Sequence, residues 1–83
     1  MITVGIVKLP KSNEYRVFWK EDNMPIEKNS YYTEDPEDAV LTMLDMIDIT
    51  RNKNLAISMS DAKYTQNLVK KYTPNYSKDI GGI

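Results

Sequence analysis

Residues 33–72 read TEDPEDAVLTMLDMIDITRNKNLAISMSDAKYTQNLVKKY, and the architecture turns on them. Thr33-Glu34-Asp35-Pro36-Glu37-Asp38 is a helix start. Thr33 or Asp35 can cap it, Pro36 suits the first helical position, and the acids crowd the positive end of the helix dipole. Val40, Met43, Leu44 and Ile47 then recur at helical spacing, a stripe widened by Ala39 and Met46. A helix is predicted from Pro36 to about Arg51, where a cation complements the C-terminal end of the dipole. Asn52-Lys53-Asn54 breaks it, and Leu55-Ala56-Ile57-Ser58-Met59 reads as a buried strand. A strand entered through a helix implies a crossover and a parallel neighbour in the sheet. Ser60 or Asp61 then caps a second helix, Ala62 to Tyr72, with Tyr64, Leu68, Val69 and Tyr72 facing inward and Pro74 stopping it.

Upstream the period changes from helical to alternating. Ile2, Val4 and Ile6 share one face of a strand predicted over Ile2 to Leu9, with Gly5 and Val7 on the other. After the polar turn Lys11-Ser12-Asn13-Glu14, a second strand runs from Tyr15 to Lys20. It places Tyr15, Val17 and Trp19 on one face and Arg16, Phe18 and Lys20 on the other. A weaker, more polar strand is predicted from Ile26 to Thr33, suited to a sheet edge. The fold class is therefore mixed α/β, of order β-β-β-α-β-α: an antiparallel three-strand meander plus one parallel strand. Residues 1–74 form a single domain, and 75–83, ending in Gly81-Gly82-Ile83, are expected to be a flexible tail.

Composition excludes whole classes of chemistry. The 83 residues contain neither cysteine nor histidine. Disulfides, thiolate zinc sites, His-based triads and His general acid–base work are all unavailable. Carboxylates are left as the metal ligands, and oxygen ligands favour magnesium, manganese or calcium. The apolar run at the N-terminus is too short for a signal peptide or a membrane span, so a cytoplasmic location and no membrane partner are expected. Net charge is −1, yet charge is unevenly spread: residues 35–61 hold six acids and two bases, while 62–83 hold four lysines and one acid. The paired glycines are not followed by a helix, so no phosphate-cradling loop and no nucleotide cofactor is expected.

The element order resembles the first two-thirds of the ribonuclease H-like fold. LAISMSDAKYTQNLV, residues 55–69, looks like that family's fourth strand and following helix, with Ser60, Asp61 and Tyr64 in a Ser-Asp-x-x-Tyr string. Thr33 to Ile47 resembles its Thr-rich turn and first long helix, and Asp38 stands in a place similar to the family's catalytic Glu. Ile2-Thr3-Val4-Gly5 is similar to its first strand. The resemblance implies Asp38 and Asp61 as metal ligands at one rim of the sheet. The chain departs from the family at Val4, where the metal-bridging Asp belongs, and it has no counterpart of the last acid. Four carboxylates normally hold the two ions of such a centre, so a truncated, non-catalytic relative is expected rather than an enzyme. Tyr32 to Val40 also resembles the turn and acidic helix start of HicB-type antitoxins, a reduced version of the same core.

These readings lead to a non-catalytic protein-interaction module, an inhibitor or antitoxin-like regulator. The preference for Lys over Arg and the abundant Asn fit a phage or mobile-element source. Trp19, Met24, Tyr31 and Tyr32 are its candidate partner-binding residues, since aromatics and Met are enriched at interface centres. The open edge of the third strand is an expected place for a homodimer contact. The alternative is nucleic-acid binding by Tyr64, Lys70, Lys71, Tyr72, Tyr76 and Lys78, which mix cations with stacking surfaces. A reduced metal-dependent nuclease is the remaining expectation.

Overall fold

Alternation of side chains sets the first hairpin. In the computed structural model, which describes residues 1–22 and 24–74, β1 (Ile2–Leu9) and β2 (Glu14–Glu21) pair antiparallel from Ile2↔Glu21 to Leu9↔Glu14. The connecting turn closes through Asn13 at φ 57°, a left-handed conformation that Asn tolerates better than most residues. Val4, Ile6 and Val17 are completely or almost completely buried, so the predicted inner face of both strands is the core face.

The third strand differs from expectation. It is not continuous over 26–33 but split into β3 (Met24–Pro25) and β4 (Tyr31–Thr33), with a 3-10 helix at Glu27–Asn29 between them. Both pieces pair antiparallel with β2, at Lys20↔Pro25 and at Arg16↔Tyr32. The reason lies in the local residues. Pro25 has no N–H for a ladder, and Glu27-Lys28-Asn29 offers no apolar side chain to bury, so the chain bulges outward. Ile26 N–H bonds the Trp19 carbonyl before the bulge, and the Arg16 Nε–H bonds Ser30 Oγ at 3.0 Å after it. The long open edge expected for pairing with a second copy is thereby shortened to two fragments.

α1 (Pro36–Asn52) starts as the sequence predicts. Asp35 accepts from the Glu37 N–H at 3.0 Å, and Thr33 Oγ1 accepts from the Asp35 N–H at 3.2 Å. Its buried stripe is Ala39, Val40, Met43, Leu44, Ile47 and Thr50. Met46 stands at the margin, its sulfur accepting the Trp19 indole N–H at 3.3 Å.

β5 (Ile57–Met59) lies parallel to β1, at Ile2↔Ile57, Thr3↔Ser58 and Val4↔Met59. It begins two residues later than predicted. The Ile2 N–H bonds the Ala56 carbonyl just before the ladder, but the Leu55 N–H bonds back to the Thr50 carbonyl at the end of α1, leaving Leu55 52% exposed. The sheet order is β3-β2-β1-β5, with β4 beside β3 along β2.

α2 (Lys63–Tyr72) follows at once. Neither expected residue caps it: the N-cap is Ala62, whose side chain can accept no bond, while Ser60 steadies the approach, its Oγ accepting the Ala62 N–H and its carbonyl accepting from Gln66 Nε2 at 2.8 Å. The inward residues are Thr65 and Val69, with Leu68 and Tyr72 packed at the margin. Tyr64, expected inward, is 43% exposed. Thr65 takes its place because the contact it meets is polar: the Ile6 backbone, left unpaired where β5 ends. No helix among the described residues is long and apolar enough to cross a membrane. The expected tail at 75–83, with Tyr76 and Lys78, lies outside the described residues.

Candidate functional site

The two helices pack against one face of the sheet only. Val4, Ile6, Val17 and Ile57 meet Val40, Met43, Leu44, Ile47 and Val69 in a single buried cluster. Alternation therefore turns Thr3, Gly5 and Val7 of β1, and Arg16, Phe18 and Lys20 of β2, toward the opposite face. Register adds Tyr32 of β4, opposite Arg16, and Pro25 of β3, opposite Lys20. No helix among the described residues covers this side. Val7 is 40% exposed and Tyr32 49% exposed, both more than a covered sheet face would allow.

Phe18 is the centre of that face. It pairs directly with Gly5, and a Cβ at Gly5 would stand only 2.6 Å from the tip of the Phe18 ring and 2.8 Å from the Ser60 Cβ. The ring thus lies over the glycine, in space that any other residue would fill, and Gly5 is buried beneath it. One groove of about 230 Å³ runs along Val7, Arg16, Phe18, Trp19, Lys20 and Pro25. A second, of about 400 Å³, continues on the other side of the ring to Lys8, Ser60 and Tyr64. Among the described residues, every charged residue lining either groove is a cation: Arg16 and Lys20 on the uncovered face, and Lys8 at the rim, whose Nζ turns to the helix side and lies 5.0 Å from the Tyr15 ring centroid. Lys20 Nζ lies 5.4 Å from the Phe18 ring centroid. Arg16 is steadied at the outer margin by Ser30 and by a loose contact to Glu27 at 3.8 Å.

The four candidate partner-binding residues divide. Met24 and Tyr32 are exposed, whereas Trp19 and Tyr31 are half-buried and packed against the core cluster. Tyr31 has a specific structural contact: its hydroxyl donates to Asp38 Oδ2 at 2.6 Å. That bond, with help from Thr33, holds the Asp38 carboxyl below the usual carboxylate range, and it pushes the Tyr31 phenol up. Thr42 Oγ1 approaches the other oxygen of Asp38 at 3.5 Å.

Asp38 is thus engaged within the domain, between β4 and α1. Asp61 is exposed in the connection from β5 to α2. Among the described residues there is no group of three or more carboxylates placed to hold a metal ion. Val4, at the place where the resembled family has its bridging Asp, is completely buried and offers no ligand atom. The donor set does not fit a two-metal centre.

The candidate nucleic-acid residues also divide. Tyr64 borders the second groove, whereas Lys70 and Lys71 lie in the last turn of α2, where Lys71 Nζ sits 5.3 Å from the Tyr72 ring centroid. The residues that sequence reasoning passed over are Arg16, Phe18 and Lys20. Their signal was present: two amphipathic helices account for one face of the sheet, and the alternating basic–aromatic–basic strand then has no helix among the described residues to cover it. No protein-family model, no curated protein and no solved structure matches the chain.

Proposed function

We propose that this chain is a non-catalytic interaction module on a reduced ribonuclease H-like core, binding a macromolecular partner through the uncovered face of its sheet. The observation that carries the reading is Phe18: a large apolar ring seated on Gly5 at the middle of a face with exposed Val7 and Tyr32 around it. Clustered apolar and aromatic surface rimmed by polar residues is the composition of an interaction patch. The family assignment rests on the element order and on the parallel pairing of β5 with β1. Against catalysis stand the buried Val4 and the engagement of Asp38 by Tyr31. A regulator of the inhibitor or antitoxin type, from a phage or mobile element, is the role such a module would fill in the cytoplasm.

The test is site-directed photocrosslinking in cells of the native host. A crosslinker replacing Tyr32 is expected to capture a partner, and one replacing Leu41 on the exposed side of α1 is not. Protease or nuclease sensitivity of the adduct then identifies the class of partner. Adducts that form equally from both positions, or from neither, refute the reading.

A further inference from the structure

We infer that the uncovered face binds single-stranded nucleic acid, with Phe18 as a stacking platform and Arg16 and Lys20 as phosphate contacts. This rests on the reading of that face as the partner surface and names the partner. The chain is slightly acidic as a whole, yet the charged side chains lining both grooves are all cations. The ligand is therefore anionic. Phe18 presents a flat ring, because the backbone of Gly5 and the side chain of Ser60 close its inner side. Arg16 and Lys20 flank it on the same strand, each about 7 Å away by strand geometry. Tyr32 stands opposite Arg16, and Tyr64 borders the far groove. Cations alternating with aromatic faces across an open sheet match a chain that alternates phosphates with planar bases. A duplex keeps its base faces stacked inside, so it cannot use the ring. An acidic peptide would satisfy the cations but has no need of an aromatic ring between them.

Fluorescence anisotropy with short, labelled, mixed-sequence single-stranded DNA and RNA tests this. Binding is expected at low salt, with a slope of log affinity against log salt of about −1.4 if two phosphates are neutralised at roughly 0.7 each. Lys20→Gln should reduce that slope to about −0.7. Phe18→Leu, which keeps an apolar cover over Gly5 but no π face, should weaken binding roughly five- to hundredfold at constant salt. Combining Lys70→Gln with Lys71→Gln should leave affinity unchanged. Circular dichroism melts establish that each variant is folded.

The proposal is overturned by the absence of binding at low salt, or by equal binding of duplex. Equal binding of polyglutamate, marking an acidic-peptide surface, overturns it too, as does a loss in the Lys70/Lys71 variant matching that in the Lys20 variant. If Tyr32 crosslinks to a protein while oligonucleotides do not bind, this inference fails and the interaction module stands.

Discussion

The hydroxyl of Thr65 serves the backbone of Ile6 twice, accepting its N–H at 3.2 Å and donating to its carbonyl at 3.4 Å. β5 ends at Met59, and the Ser60 N–H makes the last ladder bond, to the Val4 carbonyl. The next pair of β1 groups would be buried and unpaired. One threonine from α2 substitutes for the missing strand and fixes the helix against the sheet. Thr65→Val keeps the shape and removes the bonds, so it should destabilise the domain by about 1–3 kcal/mol. Thr65→Ser should recover most of that loss. Urea unfolding of the three proteins measures it, and a Thr65→Val protein as stable as the parent contradicts the assignment.

The Tyr31–Asp38 bond gives stability a pH dependence of known sign. Asp38 has a depressed folded pKa, so its contribution is present above the unfolded value and disappears as pH falls through the folded one. Tyr31 has a raised pKa, so its contribution is present below the unfolded value and disappears as pH rises through the folded one. Tyr31→Phe should therefore be less stable than the parent near neutrality. The difference should narrow toward acid and toward strong alkali. A carboxyl titration followed by NMR should find Asp38 shifted up toward its ordinary value in Tyr31→Phe. An unchanged titration would show that another group holds the carboxylate.

Gly5→Ala puts a methyl where the Phe18 ring and Ser60 already stand. Overpacking of this kind costs about 1–3 kcal/mol, because the ring has to leave the sheet or the backbone has to shift. The two positions should couple. In a Phe18→Leu background the same glycine substitution should cost less, with a difference above roughly 0.5 kcal/mol. Additive losses in the double-mutant cycle would mean that the ring does not rest on Gly5.

The two sides of α1 should respond differently to truncation. Met43 is fully buried in the cluster, and Met43→Ala should cost about 2–5 kcal/mol through lost contacts and a residual cavity. Leu41 is half exposed on the outer side, and Leu41→Ala should stay within about 0.5 kcal/mol. Thermal melts of the two variants distinguish the faces; a large loss at Leu41 would mean that the helix is rotated or that its outer side is covered.

Long periodic segments were legible in the sequence, and short or polar ones were not. The stripe from Val40 to Ile47 and the Asp35-Pro36 start place α1 correctly, and the helix between two strands foretells the parallel pairing of β5 with β1. The third strand was misread because Ile26 and Tyr31 suggest continuity, while the outward bulge at Glu27–Asn29 depends on which β2 groups remain to be paired. Tyr64 and Thr65 were exchanged for a similar reason. An aromatic residue at an inward spacing looks like core, but the site facing that turn of α2 is backbone that needs a hydroxyl. For the site, Arg16, Phe18 and Lys20 were correctly grouped on one face, but that face gained meaning only when both helices were seen on the other. The resemblance drew attention instead to Asp38, whose carboxylate bonds Tyr31.

Amide chemical-shift mapping during titration with a short single-stranded oligonucleotide addresses the uncovered face directly. Perturbations are expected at Gly5, Val7, Arg16, Phe18, Lys20 and Tyr32, with the buried positions of α1 unmoved. Perturbations confined to the last turn of α2 at Lys70 and Lys71, or no perturbation at all, would contradict a binding surface built on Phe18.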